Sequence, residues 1–255
     1  MFKNKLKKDL YDGKTCFGTF MSLNSTDVVE SGGLAGFDFV IIDTEHGYMS
    51  PETTMDLVRA AEVSGTTPIT RVTENGETII LRCLDVGAHG VQVPQINDKE
   101  SAELAVKRVK YYPEGTRGVA MTRSCNYGLT PIFDYFKQEN EETLVVVHIE
   151  NIVGLQNIEE IAATPGVDVL FLGPFDMSQS MGIPGQVDHP KIDEAAEIVL
   201  AACKKYGKIP GVYAEFPEVA KKRADQGFQY IPIGMVTSLI SRAFVDVLKK
   251  AKGEA

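Results

Sequence analysis

Short apolar runs rich in β-branched residues recur along the chain, separated by stretches in which apolar positions return every three or four residues. The runs cover residues 15–23, 37–42, 67–72, 90–94, 143–149, 167–173, 209–214 and 228–233. They carry no steady polar face, which predicts parallel strands covered on both sides. The intervening periodicity predicts helices near 51–63, 77–86, 98–111, 131–141, 151–163, 190–206, 218–225 and 236–250. Another helix follows Ser25 or Thr26, either of which can cap it, and a short amphipathic one is predicted over 2–11. Ser50-Pro51-Glu52 and Ser64-Gly65 mark a helix start and a helix stop. Residues 112–129 and 177–187 are Gly-containing irregular stretches and are expected to be loops. Eight strand–helix pairs without a linker, repeat or low-complexity segment predict one domain over 1–255, a (β/α)8 TIM barrel of the α/β class with a short N-terminal helix. The competing open, doubly wound sheet needs a Gly-rich phosphate loop after its first strand, and Asn24-Ser25-Thr26 is not one.

Composition narrows the partners. At 255 residues, 44% hydrophobic and 24% charged, the chain reads as a soluble globular protein. Its formal net charge of −9 and the lack of a basic stripe argue against nucleic-acid binding. No run approaches the length of a membrane span, and the basic residues 1–10 are not followed by an apolar run, so they read as a helix and not as a signal peptide. Cys16, Cys83, Cys125 and Cys203 have neither metal-type spacing nor the look of a disulfide framework, which predicts reduced thiols and a cytoplasmic protein.

The C-terminal strand ends of such a barrel converge on one mouth. Here they carry Asp43, Glu45 and His46, then Arg71, Gln95, His148 with Glu150, and Asp176. Glu150 and Asp176 each close an apolar run. Either acid could cap the helix that follows, but as a pair on successive strands they suit a hard divalent cation such as Mg²⁺ or Mn²⁺. His148, two residues before Glu150, is either a packed core histidine, a substrate donor or a further ligand, and the last option leaves Co²⁺ or Zn²⁺ open. Arg71 could fork onto a carboxylate or steady a developing enolate, or form a structural ion pair. His46 beside two acids suits a general base, or is a surface loop histidine. Asp85, Arg117 and Arg123 take no role from pattern alone. Lysines cluster at helix ends and termini, which argues against a Schiff-base mechanism.

Taken together these positions resemble the HpcH/HpaI aldolase family of metal-dependent class II pyruvate aldolases, over nearly the whole chain. The similar segments are Phe37-Asp38-Phe39-Val40-Ile41-Ile42-Asp43-Thr44-Glu45-His46, Ile69-Thr70-Arg71, Tyr112-Pro113-Glu114-Gly115-Thr116-Arg117-Gly118, and Gly173-Pro174-Phe175-Asp176-Met177-Ser178 followed by Met181-Gly182. The resemblance implies a lyase that cleaves a 4-hydroxy-2-oxo acid to pyruvate and an aldehyde through a pyruvate enolate on a divalent metal. It implies Glu150 and Asp176 as metal ligands, Arg71 as enolate stabiliser, and His46 as acid–base assisted by Asp43 and Asp85. It further implies that the backbone around Phe175 contacts the substrate carboxylate, and that the barrels assemble as a homohexamer that exchanges the last helix. This chain departs from the family in two places: His148 stands where Gln is frequent, and Phe175 where a small residue is frequent. Two other readings keep the fold: a citrate-lyase-like enzyme acting on an acyl-CoA, and a non-catalytic barrel that binds a metal–oxoacid.

Overall fold

The computed structural model describes residues 3–254. Its eight strands are β1 (Cys16–Met21), β2 (Phe39–Asp43), β3 (Thr67–Arg71), β4 (Gly90–Val93), β5 (Leu144–Ile149), β6 (Val169–Leu172), β7 (Ile209–Val212) and β8 (Tyr230–Met235). They close into a parallel barrel in chain order, β8 pairing back onto β1. The helices before β5 are α1 (Lys5–Tyr11), α2 (Thr26–Leu34), α3 (Pro51–Ser64), α4 (Glu77–Asp85), α5 (Lys99–Val109) and α6 (Ile132–Glu142). Those after it are α7 (Ile152–Gln156), α8 (Ile158–Ala162), α9 (Pro174–Ser180), α10 (Pro190–Tyr206), α11 (Pro217–Gln226) and α12 (Val236–Lys252).

Strand alternation sorts the side chains into two cores. Phe39, Ile41, Ile69, Leu144, Val146, Val169, Phe171 and Tyr230 pack together inside the barrel. Their neighbours one residue along, such as Val145, Val147, Leu170 and Leu172, pack outward against the helices. The same period of two carries the inward face onward to Asp43, Arg71 and His148, at the upper ends of β2, β3 and β5. Register reinforces the placement: Asp43 lies opposite Arg71, and Arg71 opposite Gln92. Inside, Phe39 stacks on Tyr230 with ring centroids 4.2 Å apart. A Cβ at Gly18 would come within 2.4 Å of the Phe39 ring, so only glycine fits on β1 there.

Helix α1 closes the N-terminal end of the barrel. Leu6 and Leu10 belong to the interior cluster. Burying two leucines contributes about 1.5–3 kcal/mol each. Asn4 caps α1 by accepting from the Lys7 amide, and its side-chain amide donates to the carbonyls of His89 and Glu142. Phe2, which the sequence pattern includes in this helix, lies outside the described residues.

Two expectations are corrected. The predicted helix over 151–163 is two short helices, parted at Asn157. The Asn157 side chain donates to the Asn97 carbonyl at 2.8 Å, a local bond that competes with helix continuation. The region expected to be a loop from residue 177 is helical through Ser180, because Pro174 opens α9 at its first turn.

Candidate active site

At the C-terminal end of the barrel lies a cavity of about 330 Å³. Its lining includes His46, Arg71, His148, Glu150, Phe175 and Asp176, together with Phe20, Phe171, Tyr213, Glu215 and Met235. Arg71, Glu150, Asp176 and His46 thus share one chamber, although they come from four separate strand ends.

Arg71 is held from two sides. Its Nε donates to Asp43 Oδ1 at 2.9 Å and its Nη2 to Oδ2 at 2.6 Å, the bidentate fork that guanidinium and carboxylate geometry favours. Nη1 lies 3.2 Å from Glu45 Oε2, and Cζ sits 4.7 Å from the centre of the Phe20 ring. Burial opposes the charge on Arg71, but Asp43, Glu45 and Glu150 outweigh it and hold the guanidinium above its usual range. Burial also raises the Glu45 carboxyl, with Arg71 pulling the other way.

Asp43 has a different task from the one expected. Its Oδ1 accepts the backbone N–H of Glu45 at 3.1 Å and of His46 at 3.3 Å. It therefore anchors the turn that carries His46 and does not orient the imidazole. A Cβ at Gly47 would lie 2.0 Å from the Asp43 carbonyl oxygen, so the tightness of this turn requires glycine. The His46 side chain is exposed at the mouth. Asp85 is not brought to His46 as expected. It ends α4 and pairs with Arg117 at 2.9 Å, and Arg117 also binds Glu139 at 3.2 Å. Arg123 pairs with Glu62. Both arginines are structural within this chain.

Glu150 is oriented through both oxygens. Oε1 accepts the Gln95 amide at 2.7 Å, and Oε2 meets His148 Nδ1 at 2.6 Å. Gln95, expected to contribute a side chain, contributes its backbone, turned by a φ of 55°. His148 Nε2 lies 2.6 Å from Gln92 Nε2, and the Tyr230 hydroxyl donates to Gln92 Oε1 at 2.9 Å. Burial raises the Tyr230 pKa and keeps the phenol a donor. With the amide oxygen thus occupied, the amide nitrogen donates to His148 Nε2, which leaves the imidazole proton on Nδ1, facing Glu150. Both ring nitrogens are engaged inside the protein. His148 is accordingly neither a free substrate donor nor an available metal ligand, and it positions Glu150. Burial raises the Glu150 pKa, but His148, the Gln95 N–H and Arg71 prevail and hold the carboxyl below its ordinary value.

Asn151, not Glu150, caps α7 by accepting from the Gly154 amide at 2.9 Å. That removes the capping alternative for Glu150. Asp176 stands in the first turn of α9, exposed to the cavity and without a hydrogen-bond partner among the described residues. A Cβ at Gly173 would lie 3.0 Å from the Glu150 Cβ, so this glycine lets the two acid-bearing segments approach. No cluster of three or more metal-ligating side chains is found among the described residues. The donor set is two carboxylates, one oriented and one open. That set fits a hard divalent cation that fills its shell with water and substrate oxygens.

Gln92, Tyr230, Tyr213 and Glu215 escaped the sequence reading. Gln92 had a signal: a polar residue at an inward position of a strand buried on both faces.

Comparison with known proteins agrees with this architecture. The family model described as HpcH/HpaI aldolase/citrate lyase matches residues 16–243. A 5-keto-4-deoxy-D-glucarate aldolase of Salmonella arizonae is 34% identical over 235 residues, covering 92% of this chain and 91% of the relative. A family protein of known structure from Burkholderia cenocepacia J2315 superposes with a TM-score of 0.93 at 32% identity, covering 98% of this chain and 100% of that one. The citrate synthase SbnG superposes with a TM-score of 0.89, also at 32% identity, covering 98% of each chain. With its barrel, its strand-end acids and these matches in agreement, the chain belongs to the HpcH/HpaI aldolase/citrate lyase family.

Proposed function

We propose that this protein is a class II aldolase that cleaves a 4-hydroxy-2-oxo acid to pyruvate and an aldehyde. The observation that carries the reading is the convergence of His46, Arg71, Glu150 and Asp176 on one cavity. Glu150 and Asp176 would hold a divalent cation, Mg²⁺ or Mn²⁺ by the all-carboxylate chemistry of the set. When bound, the ion supplies Lewis acidity toward the 2-oxo group. His46 accepts the proton of the C4 hydroxyl, through water given its exposed place at the mouth. The C3–C4 bond then breaks, the C4 oxygen becomes the aldehyde carbonyl, and the electron pair passes into the pyruvate enolate. Arg71, fixed by Asp43 and Glu45, stabilises the charge that develops on the enolate oxygen. A proton delivered to C3 completes pyruvate. The backbone around Phe175 meets the substrate carboxylate.

We further assign a cytoplasmic location, supported by four free, buried cysteines. A homohexamer is the assembly the family resemblance implies. A panel of 4-hydroxy-2-oxo acids assayed for pyruvate release, with EDTA and metal add-back, tests the function. Chelation should abolish release, and Mg²⁺ or Mn²⁺ should restore it; full activity under complete chelation would sink the metal-dependent mechanism. The likeness to a citrate synthase supports a second reading, an enolate condensation on an acyl-CoA or related acid. Citrate formation without pyruvate release from any hydroxy-oxo acid would favour it.

A further inference from the structure

The aim of Glu150 is set from inside the barrel. The group that donates to its Oε2 is the end of a line of side chains drawn from separate strands: Tyr230 on β8, Gln92 on β4 and His148 on β5. All three are buried. The Tyr230 ring is braced by its stack on Phe39 and by Phe171, which it meets edge to face with centroids 5.9 Å apart. The His148 ring leans on Phe171 as well, at 4.8 Å. Neither Gln92 nor Tyr230 lines the cavity, so whatever they contribute to the site passes through His148.

The line has one workable direction. The Tyr230 hydroxyl donates to Gln92 Oε1, Gln92 Nε2 donates to His148 Nε2, and His148 Nδ1 donates to Glu150 Oε2. Each proton meets a lone pair. With the Gln92 amide turned over, the Tyr230 proton has no acceptor among the described residues, and a bare Nδ1 faces a carboxylate. A buried polar group left unsatisfied costs about 1–3 kcal/mol. Both ends of the line therefore enforce the same orientation of the amide between them. Bonds in such a line also strengthen one another, because each donor polarises the next. A neutral imidazole suits the relay, since a donor at one ring nitrogen requires an acceptor at the other. The Gln95 N–H holds the remaining carboxylate oxygen, so the plane of Glu150 is fixed where it lines the cavity.

We propose that Tyr230 and Gln92 are positioning residues for Glu150: through the ring of His148 they hold this carboxylate in the orientation that binds the divalent cation. The proposal rests on the reading of Glu150 as a metal ligand. Groups that hydrogen-bond a ligating carboxylate from behind govern metal affinity nearly as strongly as the ligand's own placement. Here that support begins at a phenol in the barrel core.

The experiment reads two quantities. In ¹⁵N spectra of the Mg²⁺-loaded protein labelled at histidine, the His148 signal, identified by its loss in His148→Leu, should report a proton on Nδ1 alone. A ring protonated at Nε2, or at both nitrogens, overturns the proposal. Mn²⁺ affinity, followed by electron paramagnetic resonance of the free ion, is then compared across variants. Tyr230→Phe keeps the ring stacked on Phe39 and removes only the hydroxyl. It should weaken Mn²⁺ binding about tenfold, the lower end of what outer partners of a metal ligand are worth. In a His148→Leu background the same change should alter affinity by less than about twofold, because the line is already cut. Unchanged affinity in Tyr230→Phe, or an equal loss in both backgrounds, overturns the proposal. Glu150→Gln checks the reading beneath it: full Mn²⁺ affinity in that variant removes Glu150 as a ligand, whatever the imidazole signal shows.

Discussion

Arg71 is the residue on which geometry and chemistry meet most closely, because its fork onto Asp43 fixes the guanidinium before any substrate arrives. Replacement by alanine would leave Asp43 buried without its partner, at a cost of about 3–5 kcal/mol in stability. Arg71→Lys is the cleaner probe: it keeps the charge and loses the planar fork. Turnover and pyruvate C3 proton exchange should fall together by about 10²–10³-fold, the usual cost of removing one preorganised donor to a developing oxyanion. Normal exchange alongside lost cleavage would place Arg71 outside enolate stabilisation. Arg71, Glu150 and Asp176 were legible because each interrupts or ends an apolar run, and His46 because it stands beside two acids just past one. What His148 does was not legible, since its role is set by Gln92 and Tyr230, 56 and 82 positions away in the chain. Asp85 shows the converse, for its partner Arg117 lies in an irregular stretch where periodicity says nothing about contacts.

At the scale of the elements, the eight strands were legible because burial on both faces leaves a nearly unbroken apolar signature. The break at Asn157 was not, because the side-chain bond to Asn97 that accompanies it is tertiary; the start of α9 carried a local signal in Pro174, hidden by the Gly-containing stretch that follows. Helix α1 yields a prediction of its own. Asp9 receives Lys14 Nζ at 2.6 Å and Lys5 Nζ at 2.8 Å, and those bonds lower its pKa from 3.8 to about 2. A carboxyl depressed on folding contributes stability that is complete above its unfolded value and is lost as pH falls through its folded one. Asp9→Asn should therefore be less stable than the wild type at neutral pH, with a gap that narrows below pH 3.8 and closes near pH 2. Denaturant melts across that range check this, and a gap constant throughout would assign the difference to packing alone.

The whole molecule presents one surface that a lone barrel would not favour. Helix α12 buries only Val236, while Phe244, Val245, Val247 and Leu248 stand exposed. Apolar residues gathered in this way mark interaction surfaces. Sedimentation should find an oligomer, and Phe244→Glu should shift it toward smaller species; a wild-type monomer at micromolar concentration would count against that role for α12.

The plug at the bottom of the barrel has a consequence for how the chain reaches its form. Asn4 bonds to residues far along the chain, His89 and Glu142, and Lys7 and Tyr11 both reach Asp168. Helix α1 thus has no complete seat until the chain has been made as far as Asp168, at the start of β6. Contacts of such long sequence separation slow folding, and intermediates with uncovered apolar surface are prone to aggregate. Helix α1 is made well before the residues it packs against and is among the last elements to dock, so Leu6 and Leu10 stay uncovered until those residues are in place.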